Sequence, residues 1–263
     1  MSLSLKVGVV GCLGRMGQAI IEVVSKTDGL VLVAGSEAVT HPKVGTCIPG
    51  TEVIITPDSN SVFEAADVVI DFTPPGNTAA HAVLAAEHKT ALVVGTTGFS
   101  DTDNQSLDIA AEEVVIVQAG NYSLGVNLLK ALTKQVAATL GTDWDIEIVE
   151  MHHRHKVDAP SGTAVMLGES AAEGRGTTLG TLRTPAREGI TGERLEGSIG
   201  FSALRGGSVI GEHDVIFASG SERITLSHKA ENRTLFADGA VRAALWTASQ
   251  KKGRYSMMDV LGL

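Results

Sequence analysis

Two cysteines, Cys12 and Cys47, are all the chain carries. They are too few for a disulfide framework and lack metal-ligand spacing. Prolines number seven against thirty glycines, which excludes a proline-rich disordered chain and fits many tight strand-to-helix turns. Aromatic residues make up 4% of a chain that is 43% hydrophobic, so the core must be aliphatic, as in α/β proteins. No apolar run reaches the roughly 18 residues that a membrane span needs. The opening MSLSLKVGVV has no charged region ahead of a long apolar run, so no leader is expected. Positive charge is also scarce: 21 Lys plus Arg stand against 30 Asp plus Glu, a formal charge of −9. That excludes the broad basic face of a nucleic-acid binder. Any anion held here must be small and held locally. The expectation is a soluble, cytoplasmic protein of 263 residues with no nucleic-acid or membrane partner, long enough for one large domain or two smaller ones.

What the chain does contain is alternation. LKVGVV (5–10), LVLVAGSE (30–37), DVVIDFT (67–73), ALVVGTTG (91–98) and VVIVQAGNYS (114–123) are apolar strand runs. RMGQAIIEVVSKT (15–27) and NTAAHAVLAAEHK read as helices, the first placing Met16, Ile20, Val23 and Val24 on one face. Continuous apolar strands joined by helices predict a doubly wound parallel sheet covered on both faces, with its ligand beyond the carboxyl ends of the strands. After the helical LGVNLLKALTKQVAATL (124–140) the character changes. DIEIVE (145–150) reads as a strand, AVMLGESAAEG as a short helix, and 171–194 as a loop. GSIGFSALR, SVIGEHDVIFAS and ERITLSHKA read as an antiparallel meander. TLFADGAVRAALWTASQ is helical again and is expected to return to the first domain. The predicted fold is an α/β chain: an N-terminal Rossmann-like doubly wound parallel sheet plus a smaller α+β domain with a mainly antiparallel or mixed sheet.

VGVVGCLGRMGQAI places Gly11, Gly14 and Gly17 between a strand and a helix. This is a G-x-x-G-x-x-G variant of the dinucleotide fingerprint, in which backbone N–H groups approach a pyrophosphate at the positive end of the helix. Alone, such a turn is found in many α/β proteins. Here it opens the first βαβ unit, and Glu37 ends the second strand, where an acid accepts both ribose hydroxyls of an adenosine. Ala38 follows, so no arginine stands there for a 2′-phosphate, which favours NAD over NADP; Lys43, a few residues on, works the other way. The turns at Asp71-Phe72-Thr73, Gly95-Thr96-Thr97-Gly98 and Ala119-Gly120-Asn121-Tyr122-Ser123 fall where the rest of a dinucleotide would lie.

The cations concentrate in EMHHRHKVDAPSGTA (150–164). A metal site would need converging neutral imidazoles, and Arg154 and Lys156 would repel the ion, so no metal is expected. A solvated basic loop without function is a second reading. The third is an anion site with a proton donor, in which Lys156 and protonated histidines supply charge and a histidine titrates near neutrality. Ser161 is placed to cap a helix whose Gly162 and Thr163 amides would bind a carboxylate. A cation cluster five residues from a helix start suits a small dicarboxylate.

Those residues resemble the signature of the 4-hydroxy-tetrahydrodipicolinate reductase family, Glu150-Met151-His152-His153-Arg154-His155-Lys156 followed by Val-Asp-Ala-Pro-Ser-Gly-Thr-Ala. The resemblance covers essentially the whole chain. It takes in the glycine loop with Arg15-Met16, Asp71-Phe72-Thr73, Gly95-Thr96-Thr97-Gly98, Asn121 to Asn127, Gly211-Glu212-His213 and Asp259-Val260-Leu261. It implies a homotetrameric reductase of lysine and diaminopimelate biosynthesis that transfers hydride from NADH or NADPH to a cyclic imine dicarboxylate. His152 would be the general acid and Lys156 would hold or polarise the substrate, with His153, Gly162 and Thr163 on its carboxylates. Gly11, Cys12, Leu13, Gly14, Arg15 and Met16 would form the nucleotide site with Glu37. Gly95, Thr96 and Thr97 would join them, as would Ala119, Gly120, Asn121 and Tyr122.

The implied domains are 1–123 for the dinucleotide, 124–232 for substrate and tetramerisation, and 233–263 returning to the first. Many members carry arginine after the strand-two acid and after Asp-Phe-Thr, where this chain has Ala38 and Pro74. NADH, or dual use of NADH and NADPH, is therefore expected. A noncatalytic nicotinamide sensor and a reductase of another small anion are the rival readings. The acidic charge speaks against the first and the histidine-rich signature against the second.

Overall fold

The structure, a computed structural model, describes residues 4–263; Met1 to Leu3, which begin the stretch read for a leader, lie outside the described residues. The chain folds as two compact units, Met1–Leu124 with Thr234–Leu263, and Gly125–Arg233.

In the first unit the apolar runs form β1 (Leu5–Val10), β2 (Leu30–Ser36), β4 (Val68–Asp71), β5 (Ala91–Val94) and β6 (Val115–Gln118), with a two-residue β3 (Ile55–Thr56) beside β2. Helices α1 (Arg15–Lys26), α2 (Ser59–Ala65), α3 (Thr78–His88) and α4 (Asp101–Ala111) alternate with them. Helix α1 buries Gly17, Ile20, Ile21 and Val24; Met16 and Val23 are only partly covered at the edge of that stripe. Two-sided burial explains why β4 reads as a continuous apolar run: each of its four residues is buried.

The second unit begins after the start of α5 (Leu124–Thr139) and contains β7 (Asp145–His152), α6 (Gly162–Gly174), α7 (Leu179–Leu182), β8 (Ile199–Arg205), β9 (Glu212–Ala218) and β10 (Arg223–Lys229). Strand β7 runs two residues beyond the predicted DIEIVE, and His152 is its last residue. The three later strands do not make a meander. The sheet order is β10-β9-β7-β8, with β9 antiparallel to β7 and β10 but β8 parallel to β7. A parallel partner needs a crossover connection, usually a helix, and α6 supplies it. Nor is 171–194 all loop. Helix α6 continues to Gly174, and Leu179 of α7 is buried in the core of this unit. Arg175 secures that stretch by donating from Nη1 to the Gly197 carbonyl at 2.7 Å. The dense Gly, Thr and Arg content hides this anchoring from periodicity.

The chain then returns to the first unit as α8 (Thr234–Thr247), β11 (Gly253–Tyr255) and α9 (Met257–Leu261). Helix α8 packs against α1 and over β4, β5 and β6. The completed sheet has the order β11-β6-β5-β4-β1-β2-β3, and each of its pairings is parallel. Strand order reverses between β1 and β4, and a doubly wound sheet binds its ligand at that switch point.

Candidate active site

Alternation along β7 builds the site in the second unit. Ile146, Ile148, Glu150 and His152 are buried on one face of the strand, and their intervening neighbours are half-covered. Across the antiparallel pairing Ile146 faces Phe217, Ile148 faces Val215 and Glu150 faces His213. The inner face therefore starts as an aliphatic core and ends in ionisable groups.

A buried carboxylate is costly unless its oxygens are satisfied, and Glu150 is enclosed by donors. Arg205, from β8, donates through both terminal nitrogens, each at 2.8 Å. The Ser161 amide donates at 3.0 Å and His152 Nδ1 lies 2.6 Å from Oε2. Burial works to raise the Glu150 carboxyl, but Arg205, His152 and Ser161 together hold it below the ordinary value. It is ionised at neutral pH. Ser161 caps α6 by accepting from the Ala164 amide at 3.1 Å, and its hydroxyl meets His213 Nε2 at 3.1 Å. The His152 and His213 rings stand edge to face with centroids 5.1 Å apart. Burial, then the charge of His152, pushes the His213 pKa down to about 4, so His213 is neutral.

His153, the next residue, faces a cavity of about 660 Å³ shared with Arg154, His155, Ser208 and Arg233. Its Nδ1 is buried without a hydrogen-bond partner. Burial and then the Arg233 charge lower its pKa, so cationic partners rather than self-charge give the cavity its sign. Lys156 lies beyond, paired with the exposed Asp158 at 2.9 Å. Gly162 opens α6 with no neighbour in the space a side chain would fill, and Thr163 follows in the first turn. A cationic cavity with an unmet imidazole nitrogen fits an anion. Among the described residues no cluster of His, Cys, Asp or Glu could hold a metal ion.

The first unit brings the glycine loop and the strand-two acid together. Gly11 has φ +68°, a conformation glycine adopts without strain, and its carbonyl accepts from Gly14 at 3.0 Å. A β-carbon on Gly17 would stand 2.2 Å from the Gly11 oxygen, so α1 and the turn need glycine to pack. Glu37 Oε2 accepts from the Leu13 amide at 3.1 Å and Oε1 from Ala38 at 3.0 Å. Helix α1 starts with no side-chain cap, leaving its N-terminal dipole for a ligand. A cavity of about 490 Å³ at this place is lined by Gly11, Gly14, Glu37, Ala38, Thr73 and Pro74, with Asn77 and His81 behind. No arginine or lysine lines it. These residues fit a dinucleotide: a glycine turn, a bare helix start and an acid for ribose, in one cavity.

The other predicted positions divide. Arg15 and Cys12 border a second cavity of about 510 Å³ along α1. Cys12 is buried and, chiefly by burial, its thiol is pushed up to about 11, which leaves it unreactive. Met16 packs on the core. Gly95 lies against the Phe72 ring, and Thr96 donates to the Thr73 carbonyl at 2.8 Å. Thr97 and Gly120 are exposed, Ala119 and Asn121 half-buried. The Tyr122 hydroxyl is turned inward, shared between the carbonyls of Val94 and Val117 at 2.9 and 2.8 Å; only its backbone remains for a ligand.

Sequence reading gave no role to Glu150, Arg205, His213 or Arg233. For Glu150 a signal existed, since an acid two residues before a histidine shares its strand face. Arg205 lies 55 residues away from its partner, and only the crossover topology joins them. In the first unit Asp71 and His81 form a buried pair at 2.7 Å beside the same cavity.

Residues 5–122 match the family model described as dihydrodipicolinate reductase, N-terminus, and residues 125–261 the one described as dihydrodipicolinate reductase, C-terminus. A 4-hydroxy-tetrahydrodipicolinate reductase from Dinoroseobacter shibae is 53% identical over 261 residues, covering 97% of each chain. One from Parvibaculum lavamentivorans is 49% identical, covering 100% of both. Among solved structures, a dipicolinate-bound dihydrodipicolinate reductase from Paenisporosarcina sp. TG-14 superimposes with a TM-score of 0.81 at 26% identity, covering 97% of this chain and 98% of that one.

Proposed function

Because the chain belongs to the dihydrodipicolinate reductase family, we propose that its second unit grips a cyclic imine dicarboxylate and that His152 protonates the ring after hydride arrives. The reaction is the NAD(P)H-dependent reduction of 4-hydroxy-tetrahydrodipicolinate to tetrahydrodipicolinate, a step of lysine and diaminopimelate biosynthesis.

When bound, the reduced nicotinamide supplies the hydride. Everything else falls to the chain's own residues. Arg154 and Arg233 set a positive field in the cavity beside His153, and the unmet His153 Nδ1 is the observation that carries the reading. Lys156 would exchange its exposed partner Asp158 for a substrate carboxylate, while the Gly162 and Thr163 amides at the start of α6 receive the other. Hydride addition makes the conjugated imine electron-rich, and a proton from His152 completes the reduction.

On the cofactor side, Gly11 to Met16 would receive the pyrophosphate and Glu37 the adenosine ribose, with Gly95 to Thr97 and Ala119 to Tyr122 along the remaining strand ends. The cavity holds the Glu37 carboxylate and neither arginine nor lysine, which supports NADH, or dual use, over strong NADPH preference. We also infer a cytoplasmic homotetramer. Exposed Leu204 on outer strand β8, on the sheet face away from the core of the second unit, supports assembly through that sheet, which light scattering would read as four times 27.3 kDa.

The test is dipicolinate binding by calorimetry. Micromolar or millimolar binding that weakens by about tenfold or more in His153→Ala and Arg233→Ala supports the site. Unchanged affinity in both variants would place the dicarboxylate elsewhere.

A further inference from the structure

We propose that Glu150 is the positioning residue for His152: its carboxylate fixes the imidazole as the Nδ1–H form, so that Nε2 is the nitrogen that delivers the proton, and Arg205 holds that carboxylate in place. The inference deepens the general-acid reading of His152 and rests on it.

An ionised carboxylate only accepts hydrogen bonds, so the 2.6 Å contact between Glu150 Oε2 and His152 Nδ1 requires the proton on Nδ1. Nε2 is then the site that gains and loses the second proton. It faces Gly211, where a β-carbon would stand 3.0 Å away, so the backbone there leaves the nitrogen its space. The Glu150 side chain has no exposure. Both of its oxygens take two donors each, Ser161 N and Arg205 Nη2 on one, His152 Nδ1 and Arg205 Nη1 on the other.

A structural role alone does not call for the imidazole. Arg205 and the Ser161 amide already satisfy the buried charge, and a bidentate guanidinium is the strongest such partner. Each element packed on His152 contributes to the arrangement. Strand β9 brings His213, which is neutral; β8 brings Arg205, spent on Glu150; the start of α6 brings Ser161; and the segment after β7 brings His153, His155 and Lys156. Among these neighbours Glu150 is the anion in contact with the ring. When His152 gives up the Nε2 proton, the Nδ1 proton stays between ring and carboxylate, and Glu150 remains ionised throughout. A buried carboxylate that orients a histidine and fixes its tautomer has this form in hydrolase triads.

The experiment compares Glu150→Gln, Glu150→Asp and His152→Ala with the wild type as full-length enzyme with NADH. It reads kcat, KM, thermal stability and the nitrogen-15 signals of the His152 ring. A neutral amide at 150 can donate to Nδ1 and so reverse the tautomer. Glu150→Gln should lower kcat by on the order of a hundredfold, change KM by less than about threefold and lose the Nδ1–H signature. Should glutamine unfold the protein, Glu150→Asp keeps the charge for Arg205 but withdraws the oxygen from the ring. It should retain the tautomer in part and lower kcat by about tenfold. Wild-type kcat in either folded variant, or a kcat loss with an unaltered ring signature in Glu150→Gln, overturns the positioning role. Those results leave the acid assignment standing if His152→Ala is slow. Normal turnover by His152→Ala removes the acid assignment itself.

Discussion

A β-carbon on Gly239 would lie 1.7 Å from the Tyr122 carbonyl oxygen. Helix α8 thus comes close enough to press on the 119–122 turn, and only glycine permits it. The inward Tyr122 hydroxyl pins the same turn to β5 and β6.

Gly239→Ala should therefore destabilise the first unit by at least about 3 kcal/mol, because the colliding atom is backbone and cannot swing aside. Gly220→Ala, where the added carbon meets open space, should stay within about 0.5 kcal/mol of the wild type. Thermal unfolding of the two variants checks this. Equal stability would mean that α8 can back away from the turn at little cost.

On the proposed reading, cofactor choice would turn on the charge at position 38, which is Ala38 here. Replacing it with arginine beside Glu37 would give a 2′-phosphate a charged partner, worth roughly 1.5–3 kcal/mol. The ratio of kcat/KM for NADPH over NADH should rise by about tenfold or more in Ala38→Arg. A ratio that does not move would show that position 38 does not face the ribose.

On the proposed reading, Lys156 would carry charge for ground state and transition state alike. Lys156→Ala should raise KM and lower kcat together, with kcat/KM down by on the order of a hundredfold. Steady-state kinetics read both parameters. A loss confined to KM would restrict Lys156 to binding.

The pH dependence of stability has a definite sign at His213. Its pKa is pushed down to about 4 in the fold, against about 6.5 for an unfolded histidine. Between these values the unfolded chain takes up a proton that the folded chain refuses. The stabilisation is complete above about pH 6.5 and is lost as pH falls towards 4, amounting to roughly 3 kcal/mol. His213→Gln keeps a polar partner for Ser161 but cannot titrate, so its stability should fall less across that window. Parallel melting curves for the two proteins would exclude this role.

The first sheet was legible because β1, β4, β5 and β6 are largely buried on both faces and so appear as unbroken apolar runs. Strand β3 has two residues, and β11 is an edge strand whose Arg254 reaches Gln118, Asn104 and Asp108. The first is too short, and the second too polar, to stand out as an apolar strand run. The histidine cluster announced itself by charge density in an acidic chain. Its division of labour did not. His152 and His153 are neighbours in sequence, but β7 ends at His152 and turns it towards Glu150, while His153 beyond the strand lines the arginine-bordered cavity. Arg205 was hidden because its pairing with β7 is parallel, across a helix, where local pattern gives no register. His213 stood in a strand run and among the residues of the resemblance without a role; its cross-strand partner is Glu150.

The most direct test is the turnover of His152→Ala with saturating NADH and freshly made substrate, followed by loss of nicotinamide absorbance. With the acid gone, kcat should fall by about 10²–10⁴ while KM and NADH affinity change by less than about threefold. Turnover within about twofold of the wild type would contradict proton delivery from this imidazole.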